Sequence, residues 1–376
     1  MSEVHLARRA RLRERCAAAG SEAVLVSRPA NIRYLTGRAV PGAVLLLGAD
    51  GRDTLLSPPG AGTGTGAEPP GDTTDPLHCL ALSGYAPGRT ADPAAAAAEV
   101  AAAAGARVLA VEEHDLTVAR HRALAAAAPR LRLADLDRAV EQQRLVKDAE
   151  ELAALRIAAE ITDHALGELL ESILVGRTER HLALELERRL TDHGADGPAF
   201  PTCVATGGNS GLAGHRPTDR RVAEGDFLTV CLGAVYRGYR CRIGRTFVVG
   251  PAPADWQVEL YELVFAAQRA GREALVPGAE YRRVDRAARQ RLAAAGYGET
   301  LEPYTGRGVG LEIGEDPQLS PAAMGKLDAC VPVTVEPGVH LPGRGGVRID
   351  DTLVVRPQAD GGPELLTITT KELLAL

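Results

Sequence analysis

Few side chains in this 376-residue chain are of a type that reacts. Cys231 is one: arginines close by would lower a thiol's pKa, and the thiolate is the nucleophilic form. Its place in the apolar run 227–232 argues instead for a small buried hydrophobe. His215 is another, on the loop 207–218, where it could accept a substrate proton within hydrogen-bond reach; the plainer reading is an exposed side chain with no partner. The six cysteines, Cys16, Cys79, Cys203, Cys231, Cys241 and Cys330, form no CxxC pair and are too sparse for a disulfide scaffold, so they read as reduced thiols outside any Cys-based metal site. Gly62, Gly64 and Gly66 alternate with Thr, but no Lys in a strand-to-helix context follows, so they do not make a phosphate loop. Gly306, Gly308 and Gly310 partly mimic a dinucleotide fingerprint. They follow no βα crossover and lie beside Pro303 and Tyr304, so close backbone packing explains them better.

The elements that must position these residues show in the hydrophobic pattern. A helix is expected over 6–19, and strand-length apolar runs over 22–27, 43–48 and 107–112. Asp50-Gly51 between two apolar runs signals an antiparallel hairpin, because this pair tolerates the positive φ of a tight turn. Residues 57–76 are rich in Gly, Pro and Thr and read as a long loop, while 93–104 and 115–128 read as helices. A long amphipathic run over 145–174, with Asp148, Glu150 and Glu151 near its start, marks a new domain. We place the boundary near 140, giving domains 1–140 and 141–376. Beyond it come a helix over 178–189, an extended stretch at 200–206 and strands at 227–232 and 245–249. The pattern then recurs as helices over 256–275 and 281–295 and strands at 331–336 and 347–355, a duplicated helix-helix-strand unit.

Composition limits the partners. With 45% hydrophobic and 24% charged residues the chain is of ordinary globular character, and a net charge of −6 argues against nonspecific nucleic-acid binding. No apolar run is long enough to cross a bilayer, and the charged first residues lack a secretion signal's apolar core, so no membrane partner and a cytoplasmic location are expected.

Several ordered segments carry a family resemblance: Gly306-Arg307-Gly308-Val309-Gly310-Leu311-Glu312, Val335-Glu336-Pro337-Gly338, Gly345-Gly346-Val347-Arg348-Ile349-Asp350-Asp351-Thr352, and Gly233-Ala234-Val235-Tyr236 leading to Arg245-Thr246-Phe247. Together they resemble the creatinase, prolidase and aminopeptidase P family, the M24 metallopeptidases. The resemblance implies an α+β protein: a smaller amino-terminal α/β domain, then a carboxy-terminal domain of pita-bread fold, a curved antiparallel sheet backed by two helix pairs.

In that family two Asp, one His and two Glu hold two divalent ions that share a water, which becomes a hydroxide nucleophile near neutral pH. Carried over motif by motif, the first Asp falls on Cys231, the second on Arg242, the His on Arg307, and the two Glu on Glu336 and Asp350. A substrate-assisting His falls on Gly214, next to His215, and a further His on Gly314, before Glu315. Glu336 and Asp350 alone are too few donors for two hard cations, and a guanidinium is no ligand. The resemblance therefore implies a degenerate metal site with no metal or other cofactor. In its place Arg242 and Arg307 are expected to make forked hydrogen bonds to Glu336 and Asp350, with Arg348 ordering the acids and all three arginines lining a substrate pocket. The alternative is that Arg242 and Arg307 snorkel into solvent over their apolar stems.

Three functions follow from this. The leading expectation is a pseudoenzyme of the family that has lost metallopeptidase chemistry and keeps the pocket for a peptide or small molecule. A second is a metal-independent hydrolase of a C–N bond in a small anionic, amide or guanidino substrate. A third is a working Xaa-Pro aminopeptidase or prolidase whose site is rebuilt from donors such as Cys231, His215 or His340. The resemblance also implies a homodimer.

Overall fold

The computed structural model describes all residues except 1, 59–76, 82–91, 173 and 251, so the loop expected over 57–76 falls outside the described residues but for its first two. The chain divides into two compact units, Met1–Arg144 and Leu145–Leu376.

The amino-terminal unit comprises α1 (Ser2–Ala18), β1 (Ala23–Val26), α2 (Pro29–Thr36), β2 (Val44–Gly48), β3 (Asp53–Ser57), β4 (Leu77–Ala81), α3 (Pro93–Ala103), β5 (Val108–Val111), α4 (Val118–Ala127), β6 (Arg132–Asp135) and α5 (Ala139–Arg144). Its sheet runs β4-β3-β2-β1-β5-β6. The hairpin β2–β3 forms as Asp50-Gly51 foretells, with Leu46 opposite Thr54. All four residues of β1 are buried, as its unbroken apolar run requires of a central strand. Helix α3 starts on Asp92, whose side chain accepts from the Ala94 N–H, and packs its alanines on Leu25, Leu46 and Leu109. The sequence pattern missed α2, β4 and β6, which are short and carry no clear period.

The second unit holds two helix pairs, each followed by strands: α6 (Ala149–Leu170) and α7 (Glu179–Asp192), then β7 (Gly197–Pro198), β8 (Cys203–Thr206), β9 (Phe227–Leu232), β10 (Ala234–Tyr236), β11 (Tyr239–Arg240) and β12 (Ile243–Val248). The second pair is α8 (Asp255–Glu273) and α9 (Tyr281–Leu292), leading to β13 (Gly306–Val309), β14 (Ile313–Leu319), β15 (Pro332–Val335), β16 (Gly338–Leu341), β17 (Gly345–Arg348), β18 (Asp351–Val354) and β19 (Glu364–Leu365). Helix α6 begins with a reciprocal cap: Asp148 accepts from the Glu151 N–H at 3.0 Å and Glu151 accepts from the Asp148 N–H at 3.0 Å.

Strands order as β12-β9-β8, β14-β13-β15-β18-β19 and β16-β17, all antiparallel. Leu155, Leu166 and Leu186 of the first helix pair pack on Val230, Leu232, Ile243 and Phe247. Leu260 and Val264 of α8 cover Phe227, Val248 and Val347, and Val284 of α9 joins Val333 and Leu353. This is the pita-bread fold that the motifs implied. One expected element differs: the strand over 347–355 is broken at Ile349-Asp350, because Asp350 leaves the β17–β18 line to pair its backbone with Gly244 (N to O, 3.0 and 3.1 Å).

Candidate functional site

The Gly244–Asp350 bridge is the keystone of the site. A Cβ at Gly244 would stand 2.6 Å from the Asp350 carboxylate carbon, so only glycine lets the two segments close this tightly. The bridge sets Asp350 beside Arg242, whose own backbone is clasped by Thr352: the Arg242 N–H donates to Thr352 Oγ1, which donates back to the Arg242 carbonyl at 2.7 Å.

Arg242 Nε donates to Asp350 Oδ2 at 2.8 Å and lies 3.2 Å from Glu336 Oε2. Arg307 Nε donates to the other Glu336 oxygen, Oε1, at 3.1 Å, and Thr334 Oγ1 donates to the same atom at 2.8 Å. Arg348 is the hub. Its Nε faces both Asp350 oxygens at 2.9 Å, Nη2 donates to Glu336 Oε2 at 2.5 Å, and Nη1 donates to Glu302 Oε1 at 2.6 Å. Beyond Glu302 stands His340, with Nε2 at 3.6 Å and Nδ1 against the Ser210 carbonyl at 3.3 Å. Three guanidinium groups thus meet three carboxylates.

Burial opposes the charges on Glu336, Glu302, Arg242 and Arg348, and the neighbours prevail. It pushes the Glu336 carboxyl up, but Arg242, Arg348 and Arg307 hold it below the usual carboxylate range. Glu302, likewise raised by burial, is brought down to about 2 by His340 and Arg348. Burial disfavours the charged Arg242 and Arg348, yet the facing acids, Glu336 and Asp350 for both and Glu302 for Arg348, hold them protonated above the ordinary arginine value.

The arrangement corrects several expectations at once. The forked contacts belong to Arg348; Arg242 and Arg307 reach the acids through Nε alone. Neither snorkels freely, since Arg242 lies over Phe200 and Arg307 over Tyr304, each 4.8 Å from the ring centre. Cys231 is no thiolate: burial and Asp350 push its thiol far up, and Arg242 and Arg348 offset this only in part. His215 is no loose loop residue, because its Nε2 sits 2.9 Å from the fully buried Glu179, which also accepts from the Thr206 N–H, Asn209 Nδ2 and the Thr218 N–H and Oγ1. Gly214 is exposed with open space around it and takes no part. Gly314 lies beside Arg307 and has φ +86°, the left-handed conformation that favours glycine; a Cβ there would be in ordinary contact, 3.4 Å from Arg307 Cδ and Nη1. Glu302 and Glu179 were missed, Glu302 because it stands in a loop outside every motif and Glu179 because it resembles any first-turn helix acid.

The residues present do not fit a pair of divalent ions. Glu336 and Asp350 spend their oxygens on guanidinium groups, and among the described residues no three His, Cys, Asp or Glu side chains converge to hold a metal; Cys231, His215 and His340 are not brought together. No step is routed through a metal below.

The comparisons with known proteins agree with the fold. Residues 153–357 match the model of metallopeptidase family M24, and residues 8–146 match the creatinase/prolidase N-terminal domain. An Xaa-Pro dipeptidase of Pyrococcus furiosus is 38% identical over 239 residues, 64% of this chain and 68% of that protein. An uncharacterized peptidase of Bacillus subtilis is 36% identical over 272 residues, 72% of this chain and 76% of that one. Among solved structures, an Xaa-Pro dipeptidase from Bacillus anthracis superposes with a TM-score of 0.87 at 29% identity, covering 99% of this chain and 100% of that chain. The prolidase from Pyrococcus horikoshii gives 0.84 at 29% identity over 97% and 99%. The protein is thus a two-part hydrolase-fold chain with an amino-terminal creatinase-type domain. It belongs to metallopeptidase family M24.

These relatives overturn the leading expectation of a binding-only pseudoenzyme, and with it the expectation that metal-dependent Xaa-Pro peptidase activity is unlikely; they do not support reading the substituted ligand positions as a site that has lost its function. Residue-by-residue transfer of a ligand set weighed a handful of positions; the identity with named Xaa-Pro dipeptidases extends over 239 residues. As to partners, no described helix is long and apolar enough to cross a membrane.

Proposed function

We propose that the chain is a peptidase of the Xaa-Pro class, acting on short peptides at the bond before proline. The observation that carries this is its 38% identity over 239 residues with a protein named Xaa-Pro dipeptidase. In this reading the cluster of Arg242, Arg307 and Arg348 with Glu336, Asp350 and Glu302 is the substrate site. Arg348 fixes the acids, and Arg242 and Arg307 bind substrate. His215, held with Nε2 2.9 Å from Glu179, is the general base of this reading. The same reading includes a cytoplasmic homodimer, in keeping with six free cysteines, as in a reducing compartment.

The test is release of proline from an Xaa-Pro dipeptide by the purified protein, after chelation and with Mn²⁺, Co²⁺ or Zn²⁺ added in turn. Proline release under at least one condition, lost in Arg348→Ala, is expected. No release under any condition overturns the proposal.

A further inference from the structure

Helix α9 carries Arg282, Arg283, Arg286, Arg289 and Arg291 against a single acid, Asp285, in a chain whose net charge is −6. Such crowding works against the helix. The neighbours of Arg286 one turn away are Arg282, Arg283, Arg289 and Gln290, and like charges at that spacing repel. Arg282 and Arg283 also stand in the first turn, where the helix dipole disfavours a cation. The packing of α9 rests on Val284, Ala288 and Leu292 and asks for none of these charges.

The arginines border a cavity of about 280 Å³. Arg282, Arg286 and Arg289 line it at i, i+4 and i+7, together with Ala293 and, from the segment after β14, Pro321. Asp285, 1% exposed, is taken up by Arg289, Nε to Oδ2 at 3.0 Å and Nη2 to Oδ1 at 2.8 Å, and by Thr305 Oγ1 at 3.0 Å. The remaining nitrogen of Arg289, Nη1, donates to the Glu302 carbonyl at 3.0 Å, so this pair is neutral and has no donor to spare. The other two arginines differ. Arg282 gives Nε and Nη2 to Glu280 across a contact 44% and 46% exposed on its two sides, and surface pairs of that kind hold weakly. Among the described residues the exposed Arg286 makes no hydrogen bond or ion pair, and the Gln290 side-chain amide beside it makes none either.

We propose that this cavity binds a small molecule through a dianionic phosphate monoester, held by Arg282, Arg286 and Gln290. Charge selects the dianion. Once Arg282 turns from Glu280, whose backbone pairs with that of Lys326 and which keeps that cation beside it, two positive charges face the space and a carboxylate would match only one. Shape agrees with charge, since the three terminal oxygens of a phosphate can accept from two guanidinium edges and an amide at once, where a carboxylate has two. Ala293, Pro321 and the arginine stems supply apolar surface for the organic part of the ligand. An extended polyanion is disfavoured by the charge of the chain as a whole. Occupancy of this cavity is independent of the Xaa-Pro reading.

Phenyl phosphate, benzoate and an oligoglutamate peptide are titrated calorimetrically into the full chain, at fixed ionic strength and above the second pKa of the phosphate. The same titrations are run on Arg286→Gln and Arg283→Gln. Arg283→Gln removes an equal charge from the same helix, but from a residue that does not line the cavity. The wild type should bind phenyl phosphate at least tenfold more tightly than benzoate. Arg286→Gln should weaken phenyl phosphate at least tenfold and Arg283→Gln less than threefold. No phosphate binding at millimolar concentrations, equal binding of benzoate, or equal losses in the two variants each overturns the site. Oligoglutamate binding more tightly than phenyl phosphate would mark the face as a docking surface for an acidic protein and overturns it too. Should Arg286→Gln fail to fold, Arg282→Gln is expected to weaken phenyl phosphate in the same direction, and unchanged binding there overturns the proposal.

Discussion

Replacing Arg348 by alanine is the sharpest test of how the cluster is held together. The side chain is nine-tenths buried and touches three acids: Asp350 at 2.9 Å, Glu336 at 2.5 Å and Glu302 at 2.6 Å. After its removal Asp350 keeps Arg242, and Glu336 keeps Arg242, Arg307 and Thr334, but Glu302 is left with His340 at 3.6 Å. Taking one partner from a buried ion pair costs about 3–5 kcal/mol, because the remaining charge stays buried without compensation. In a unit the size of Leu145–Leu376, where each kcal/mol moves the melting temperature by about 2–4 °C, that is a fall of about 6–20 °C. Arg307→Ala, by contrast, removes one Nε contact at a part-exposed position and should cost about 1 kcal/mol. Urea unfolding followed by circular dichroism at pH 7 measures both. A loss below 1 kcal/mol for Arg348→Ala, or equal losses for the two variants, would refute the view that Arg348 is the hub. Adding Glu302→Gln to Arg348→Ala should recover part of the loss, since the stranded charge is then gone.

Two further outcomes follow from the same geometry. Because the Glu302 carboxyl is held at about 2 in the folded state, below its ordinary 4.5, its contribution to stability is complete above about pH 4.5 and lost as pH falls through 2. Melting temperatures of the wild type should therefore drop more steeply between pH 4.5 and 2 than those of Glu302→Gln; parallel curves would contradict the shift. Glu179→Gln turns an acceptor toward donors from Thr206, Asn209, His215 and Thr218, at a cost of about 1–3 kcal/mol for each donor left unpaired. Amide exchange should quicken over residues 207–218 and stay unchanged in α8, and unchanged exchange in that loop would show that Glu179 is not its latch.

What could be read from the amino acids alone was local or motif-bound. Period and turn chemistry gave the helix pairs and the Asp50-Gly51 hairpin, because each depends on residues at most a few positions apart. Motifs placed Cys231, Arg242, Arg307, Glu336 and Asp350 within one family pattern, and the family was correctly named from them. The functional step taken from those five positions was not sound, as the named relatives showed.

Tertiary structure alone decided which cation faces which acid. Arg242 and Asp350 are 108 positions apart, and Arg348 and Glu302 are 46 apart. An ion pair depends on distances of a few ångströms and on which edge of a guanidinium is turned inward, and neither is encoded at any fixed spacing along the chain. Hence Arg348 rather than Arg242 or Arg307 proved to be the clamp, and His215, apparently alone in its loop, found its partner on a helix 36 positions earlier. Composition and period set the elements because those interactions are short in sequence; the site had to await the fold, which brings the distant charges together.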